Sequence, residues 1–552
     1  MNTKYIWLLA ILIAFTSCND IEDVLADNNA LNPVEELPEL TSGSADFSNY
    51  VALGASFTAG FTDGALFMAS QENSFPNIMS KEFAKIGGGN FTQPLTEDET
   101  GKFDNTGGLL LNGTPIAEYR LIFNGAGPQR LNSYLESIGK PVPPVLTDIA
   151  TNNPTGPFNN LGVPGAKSYH LLANGYGNLS NFPAAANPYA VRLTGSSPDA
   201  SILELAMAQS PTFFTLSEIG GNDVLGYATT GGDGTNPITD TATFDFAFGT
   251  LVTTLTSGGA KGVVTNVPYI TDLPHFTTVP YNPLDPSNPS FGPLIPTLNG
   301  VFGQLNQVFA YLGVPERSIV FSTTEASAVV IKDETLTDLS AQIAGVLNAS
   351  PTFPAFVQSF GLPAQAAPLV ANLLGTMYGQ VRQATASDLF VLPSSSIIGT
   401  VNTTTYAYLV GQGLPADLAG QFSVEGITNP LADKWVLLPS EQLEIKAATD
   451  AYNTTIESVA DSNPNIALVN LNSILQEAST SGISYNSFTL TTSLVTGGAV
   501  SLDGIHLTAR GYAFMANKFL EAIDAAFGSN FVASGNTANI GDYPTNYSDT
   551  LQ

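Results

Sequence analysis

Four stretches of this chain carry residue types that acyl transfer uses. The first, Tyr50 to Gly60, is an apolar run that breaks at Gly54 and presents Ser56. A serine just past the carboxyl end of a buried strand stands where open α/β sheets hold their ligands. By itself it reads equally well as the N-cap of a helix. The last stretch is Ser501-Leu502-Asp503-Gly504-Ile505-His506-Leu507-Thr508. An aspartate three residues before a histidine, at a loop-to-helix junction, can fold back to accept the imidazole Nδ1–H. That fixes the tautomer and leaves Nε2 free to take a proton from a serine. Alone, the pair is also an ordinary acidic residue at a helix start beside a satisfied histidine. Between these stretches lie Gly165 and Gly220-Gly221-Asn222-Asp223. A backbone N–H at a glycine turn and an amide side chain are the donors a developing oxyanion needs, although Gly-Gly-Asn-Asp alone is simply a turn. Of the other two histidines, His170 reads as a packing or surface residue, and His275 lies at the start of the excursion described below.

The elements that must position these residues alternate. Strands are predicted at Tyr50–Leu53, in the unit Phe158–Ser168, in the unit Thr212–Asp223, at Gly262–Pro268 and at Ile466–Leu471. Helical spacing covers Phe75–Ile86, Phe244–Leu255, Ser440–Ala460 and Thr508–Phe527, and the segment from Gly87 to Thr114 reads as a long loop. Strands alternating with helices point to a mostly parallel sheet covered on both faces. From about His275 to Trp435 runs an excursion too long for an ordinary connection. It is read as an inserted, partly helical subdomain with apolar stretches at Ala341–Leu347, Phe353–Phe360 and Ala367–Tyr378. Because it leaves from the carboxyl end of the fourth strand, it is expected to cap the cleft and set acyl-chain preference.

Taken in order, Gly54-x-Ser56, Gly165, Gly220-x-Asn222-Asp223 and Asp503-x-x-His506 resemble the blocks of the SGNH (GDSL) hydrolase family, over residues 48 to 525. The resemblance implies a flavodoxin-like three-layer α/β/α sandwich with a mostly parallel five-stranded sheet. It implies hydrolysis of carboxylic esters through an acyl-serine intermediate, by an esterase or lipase. By motif position Ser56 is the nucleophile, His506 the base, and Asp503 the residue that orients it. The oxyanion donors are the Ser56 and Gly165 N–H groups and the Asn222 side chain. Neither metal nor organic cofactor is implied, and the sequence shows no metal-ligand cluster. One departure is Ala55, where the family usually has aspartate, a residue that supports the turn rather than the chemistry.

The chain has 552 residues, 43% of them hydrophobic, ample for a packed core. Its 47 acidic and 17 basic residues give a formal charge of -30, which excludes a nucleic-acid partner, since phosphate binding needs clustered Lys and Arg. Residues 1–18 have one lysine, an apolar run too short to span a bilayer, and Phe15-Thr16-Ser17-Cys18. Small residues before the single cysteine resemble a bacterial lipobox, which implies lipidation of Cys18 and anchoring to the cell envelope as an outer-membrane lipoprotein, periplasmic or surface-exposed. Residues 19–45 read as a flexible tether, 46–530 as the hydrolase domain interrupted by 275–435, and 531–552 as a tail. The expected partner is an ester, lipid or acylated glycan. Two further functions stay open at this level, a glycan deacetylase and a non-catalytic surface lipoprotein that binds lipid or glycan.

Overall fold

The structure is a computed structural model that describes residues 36–97, 101–151 and 153–551. The expected leader and Cys18 lie outside the described residues. Five strands form one sheet: β1 (Tyr50–Gly54), β2 (Asn160–Gly162), β3 (Phe213–Ser217), β4 (Lys261–Thr265) and β5 (Ile466–Val469), in the order β5-β4-β3-β1-β2. Every pairing is parallel, with Ala52 opposite both Asn160 and Thr215, Phe214 opposite Gly262, and Val263 opposite Ala467. Read from the other edge this is the 2-1-3-4-5 order of flavodoxin-like sheets, in which the direction of winding reverses between β1 and β3. The fold is therefore the expected three-layer α/β/α sandwich.

Alternation along the strands makes the two cores. Val51 and Leu53 of β1, Phe214 and Leu216 of β3, and Val264 of β4 face one cluster. It is covered by helices Thr241–Thr256 and Pro439–Ser462 through Phe244, Phe248, Tyr452 and Ile456. Tyr50, Ala52, Phe213, Val263 and Ala467 face the other, covered by helices Phe75–Ala84 and Ala509–Phe527. Four helices bear on the site. We number them α1 (Ser56–Ala59), α2 (Gly221–Thr229), α3 (Leu471–Thr480) and α4 (Ala509–Phe527), which follow β1, β3 and β5 and close the domain. Thr508 caps α4, its Oγ1 accepting the Gly511 N–H at 2.9 Å, and Gly528 ends it in the left-handed region.

Three expectations are refined. The second strand is only three residues long. The Gly87–Thr114 segment is irregular for most of its length but ends in a small hairpin, Leu109–Leu111 paired with Thr114–Ala117. Neither chain end is a loose appendage in the described residues. Ser44 N–H donates to the Phe527 carbonyl at 2.8 Å and Thr41 N–H to Asn530 Oδ1 at 2.7 Å, so the last residues of the expected tether are docked. In the expected tail, Phe531 and Ile540 are fully buried, and the buried Arg120 guanidinium donates to the Ser548 and Leu551 carbonyls at 2.6 and 2.8 Å.

The insertion has an apolar core of its own, built around Phe302, Phe309, Ile331, Tyr378 and Phe390. Arg382 is held there between Asp333 at 2.6 Å and Asp388 at 2.7 Å. Helices Ser340–Ala349, Phe353–Gln358 and Ala367–Tyr378 correspond to the three apolar stretches of the sequence.

Gly54 is where β1 must turn into α1. A Cβ there would stand 2.2 Å from Thr58 Oγ1 and 2.6 Å from the Ser217 carbonyl oxygen, at a φ of +158°. Gly54→Ala should therefore cost about 2–4 kcal/mol, combining overpacking with backbone strain. A denaturation midpoint unchanged from wild type would show that the turn has room the geometry denies.

Candidate active site

The β1–α1 turn sets Ser56 at the carboxyl end of the sheet, beside the β1/β3 reversal. Its side chain is buried, with 5% residue exposure, and faces a cavity bordered by His506, Asn222 and Glu218. His506 is brought there by a closed loop. Ser501 N–H donates to the His506 carbonyl at 2.7 Å, and Gly504, at φ +75°, makes the reversal between them. Inside the loop the Asp503 carboxylate takes five donors. Oδ1 accepts the Ser501 hydroxyl at 3.0 Å and the N–H groups of Ile505 and His506 at 2.8 and 2.9 Å. Oδ2 accepts Gly64 N–H at 2.7 Å and His506 Nδ1–H at 2.8 Å. Burial works to raise this carboxyl, but the imidazole beside it and the surrounding donors prevail and hold it well below the usual carboxylate range. The outcome is the fold-back predicted from Asp-x-x-His, with Nδ1 on Asp503 and the His506 side of the loop bordering the cavity. Phe61 and Phe57 flank the ring at centroid distances of 4.6 and 6.1 Å. Ser56 and His506 border the same cavity with no hydrogen bond between them among the described residues. Such spacing is common before substrate binds.

The turn after β3 needs Gly220, whose φ is +104° and whose Cβ would lie 2.7 Å from Val267 Cγ2. It delivers Asn222 to the cavity wall, where Nδ2 donates to the Ala166 carbonyl at 3.0 Å. Gly165 itself is outside the cavity wall. Its left-handed turn is clamped from both sides, by that Asn222 contact and by Asn187 Nδ2 donating to the Pro164 carbonyl at 2.8 Å. Asp223 points away from the cavity and accepts the Ser168 N–H and hydroxyl at 2.9 and 2.7 Å, tying α2 to the chain after β2. The Gly-Gly-Asn-Asp block thus provides one side chain to the cavity and one to the scaffold. His170 packs, as expected: its ring stacks on Tyr176 at 4.6 Å and its Nδ1 accepts the Lys167 N–H.

Sequence reasoning missed three groups. Glu218, directly after β3, sits at a positive φ of +55° and sends its carboxyl to the start of α1, where Phe57 N–H donates to it and the N–H groups of Ser56 and Thr58 converge. Burial raises this carboxyl well above the usual range despite those donors. One of the three expected oxyanion donors, Asn222 Nδ2, is engaged at rest by the Ala166 carbonyl, and Glu218 lies at the start of α1 where Ser56 N–H is. Asp63 is the second. It is buried, accepts the Leu502 N–H at 3.0 Å, and is pushed up to about 7 by burial. The third is His275. Its N–H donates to the Gly504 carbonyl at 3.0 Å, its Nδ1 lies 3.4 Å from the Asp503 carbonyl oxygen, and its buried Nε2 has no partner among the described residues. With Leu392, which lies 3.2 Å from where a Gly504 Cβ would be, it is the point at which the insertion meets the site. The insertion thus backs the Asp503 loop from behind. Among the described residues, none from 275 to 435 lines the cavity beside Ser56.

That cavity, of about 110 Å³, is almost entirely apolar. Away from that cavity, Glu334, distant in sequence from Asp433 and Glu441, gathers with them at the root of the insertion, their carboxylate oxygens within 4.8 Å of one another. Burial and the neighbouring carboxylates raise Asp433 to about 6 and raise Glu441 as well. Among the described residues, no helix is long and apolar enough to cross a membrane. Comparison with protein-family models, curated proteins and solved structures finds no match.

Asp63 gives this site a pH signature. Its folded value of about 7 lies above that of an unfolded aspartate, so its contribution to stability is complete below pH ~4 and is lost as pH rises to ~7. Asp63→Asn, which keeps an acceptor for Leu502, should gain on wild type by up to about 1.4 kcal/mol per pH unit across that window and run parallel to it above. Parallel unfolding free energies from pH 4 to 8 would show that Asp63 is ionised throughout.

Proposed function

We propose that this chain is a serine esterase of the SGNH (GDSL) type that acts outside the cytoplasm. The observation that carries the reading is the Asp503–His506 pair, locked at 2.8 Å and sharing one cavity with Ser56 at the reversal point of the sheet. In this reading His506 Nε2 takes the Ser56 hydroxyl proton as Oγ attacks the ester carbonyl. Asp503, held ionised by its five donors, stabilises the imidazolium without accepting the proton. The carbonyl oxygen becomes an oxyanion, received by Gly165 N–H, Asn222 Nδ2 and Ser56 N–H. Asn222 must then exchange the Ala166 carbonyl for the oxyanion. His506 passes its proton to the departing alcohol, and water, activated by the same imidazole, releases the acid from the acyl-serine. The apolar wall supports a lipid-like acyl group over an acetylated glycan.

Ser56→Ala and His506→Ala should each lower turnover of a p-nitrophenyl ester by roughly 10⁴-fold or more, and the double variant should fall little further, because the groups act as a unit. Asn222→Ala should cost roughly 10²- to 10³-fold. A fluorophosphonate should label the wild type and not Ser56→Ala. Equal labelling of both would place the nucleophile elsewhere, and no labelling together with no turnover would favour a binding protein.

The proposal extends to anchoring through lipidated Cys18. Cys18→Ser should move the protein from the membrane fraction to the soluble one. Retention in the membrane fraction would assign attachment to another surface.

A further inference from the structure

The cavity beside Ser56 is shaped by two helices in the same way. α3 turns Leu471, Ile474, Leu475 and Ala478 to it, and α4 turns Gly511, Phe514, Met515 and Lys518. Both sets are spaced i, i+3, i+4, i+7, one face of a helix over two turns. Two helices that simply packed together would interlock these faces at contact distance. Here they stand apart around open space, with Ile483 and Leu490 of the adjoining hairpin forming a further wall. Ile474 and Leu475 keep partial exposure although they belong to the inner face. Midway along α4, the lining residue of that helix farthest along it from the catalytic loop is Lys518, whose ammonium is paired with Glu521 at 2.8 Å and lies over the Phe514 and Tyr485 rings. The space is thus apolar along its length and charged at its distal limit.

We propose that this space is the acyl-chain site and that it selects medium-length chains of about six to eight carbons, a deepening that rests on the esterase reading. Length follows from the lining. The seven helical steps from Gly511 to Lys518 span about 10 Å at 1.5 Å per residue. An extended chain advances about 1.2 Å per bond, judged from the ~3.6 Å reach of a three-bond residue, so about eight bonds fill that span. A palmitoyl chain would have to carry its outer half past the Lys518–Glu521 pair. The selecting walls belong to the region after β5. The insertion, which contributes no lining residue among those described, sets neither end of the chain-length range.

The test measures kcat/KM on p-nitrophenyl esters from acetyl to palmitoyl and the binding of neutral methyl esters to the inert Ser56→Ala protein. For wild type, octanoyl should exceed both acetyl and palmitoyl at least tenfold. Leu475→Trp and Ala478→Leu, which fill the space from α3, should each lower the octanoyl-to-acetyl ratio at least tenfold. Methyl octanoate should raise the melting temperature of Ser56→Ala, and methyl acetate should not. If wild type hydrolyses esters but a folded filled variant keeps the wild-type ratio, the chain lies elsewhere and the proposal falls. If methyl octanoate stabilises Ser56→Ala, and Leu475→Trp on that background abolishes the effect, while wild type hydrolyses no ester, the cavity is a lipid site and the esterase reading is what fails. Should both filled variants unfold, absence of any methyl octanoate shift in Ser56→Ala overturns the proposal by itself.

Discussion

The Asp503 carboxylate is the point on which the site depends. Five donors converge on it, and they come from separate parts of the chain: Gly64 from the segment after the Ser56 turn, Ser501 and Ile505 from the loop itself, and His506 through both backbone and ring. A buried anion with this much compensation stays charged, and a charged Asp503 keeps the imidazole in one tautomer. Residues near 60 and residues near 505 are held together by one side chain. Thr62, whose hydroxyl donates to the Leu507 carbonyl at 2.8 Å, and Tyr512, which donates to the Phe61 carbonyl at 2.6 Å, reinforce the same seam. Loop and nucleophile turn move as one body.

Around that anion stand two carboxyls of opposite character. Asp63 and Glu218 are both raised by burial, and each accepts backbone N–H groups. Three carboxyls within one site are thus driven apart, one toward permanent charge and two toward the neutral acid. That is the pattern by which an apolar site holds several acids without stacking their charges. Glu218 has the added property of accepting the Phe57 N–H at the start of α1, next to the Ser56 N–H expected to serve an oxyanion.

The fold was largely legible in the sequence because its signals are local. Apolar runs located all five strands, three of them ended by glycine turns, and the spacing of Asp503-x-x-His506 already allowed the fold-back that the structure shows. What was illegible is distributed. Glu218 is one residue from the Gly-Gly-Asn-Asp block, but nothing in its spacing shows that β3 ends beside the start of α1. His275 is 228 residues from Asp503, and only the folded insertion brings them together. The apolar periodicity of Leu471–Ala478 is visible in sequence, yet a face that lines a cavity and a face that fills a core have the same spacing. The insertion was expected over the cleft because it leaves from the correct rim. The rim argument fixes where such a segment begins, whereas the packing of His275 and Leu392 against Gly504 decides where it goes.

The docking of residues 39–45 has a mechanical consequence. Asn530 Nδ2 donates to the Glu39 carbonyl at 2.9 Å, Thr41 and Ser44 bond to Asn530 and Phe527, and the Lys261 ammonium at the start of β4 lies over the Phe527 ring. Tension applied ahead of residue 36 therefore enters the domain at the amino ends of the strands and passes into α4 through a clasp of several hydrogen bonds in parallel. The rim that bears Ser56 and His506 is at the opposite end of the sheet, where α4 begins just after the His506 loop. A pull on the leading segment is thus taken first by the end of the fold away from Ser56, with the length of α4 between the clasp and the catalytic loop.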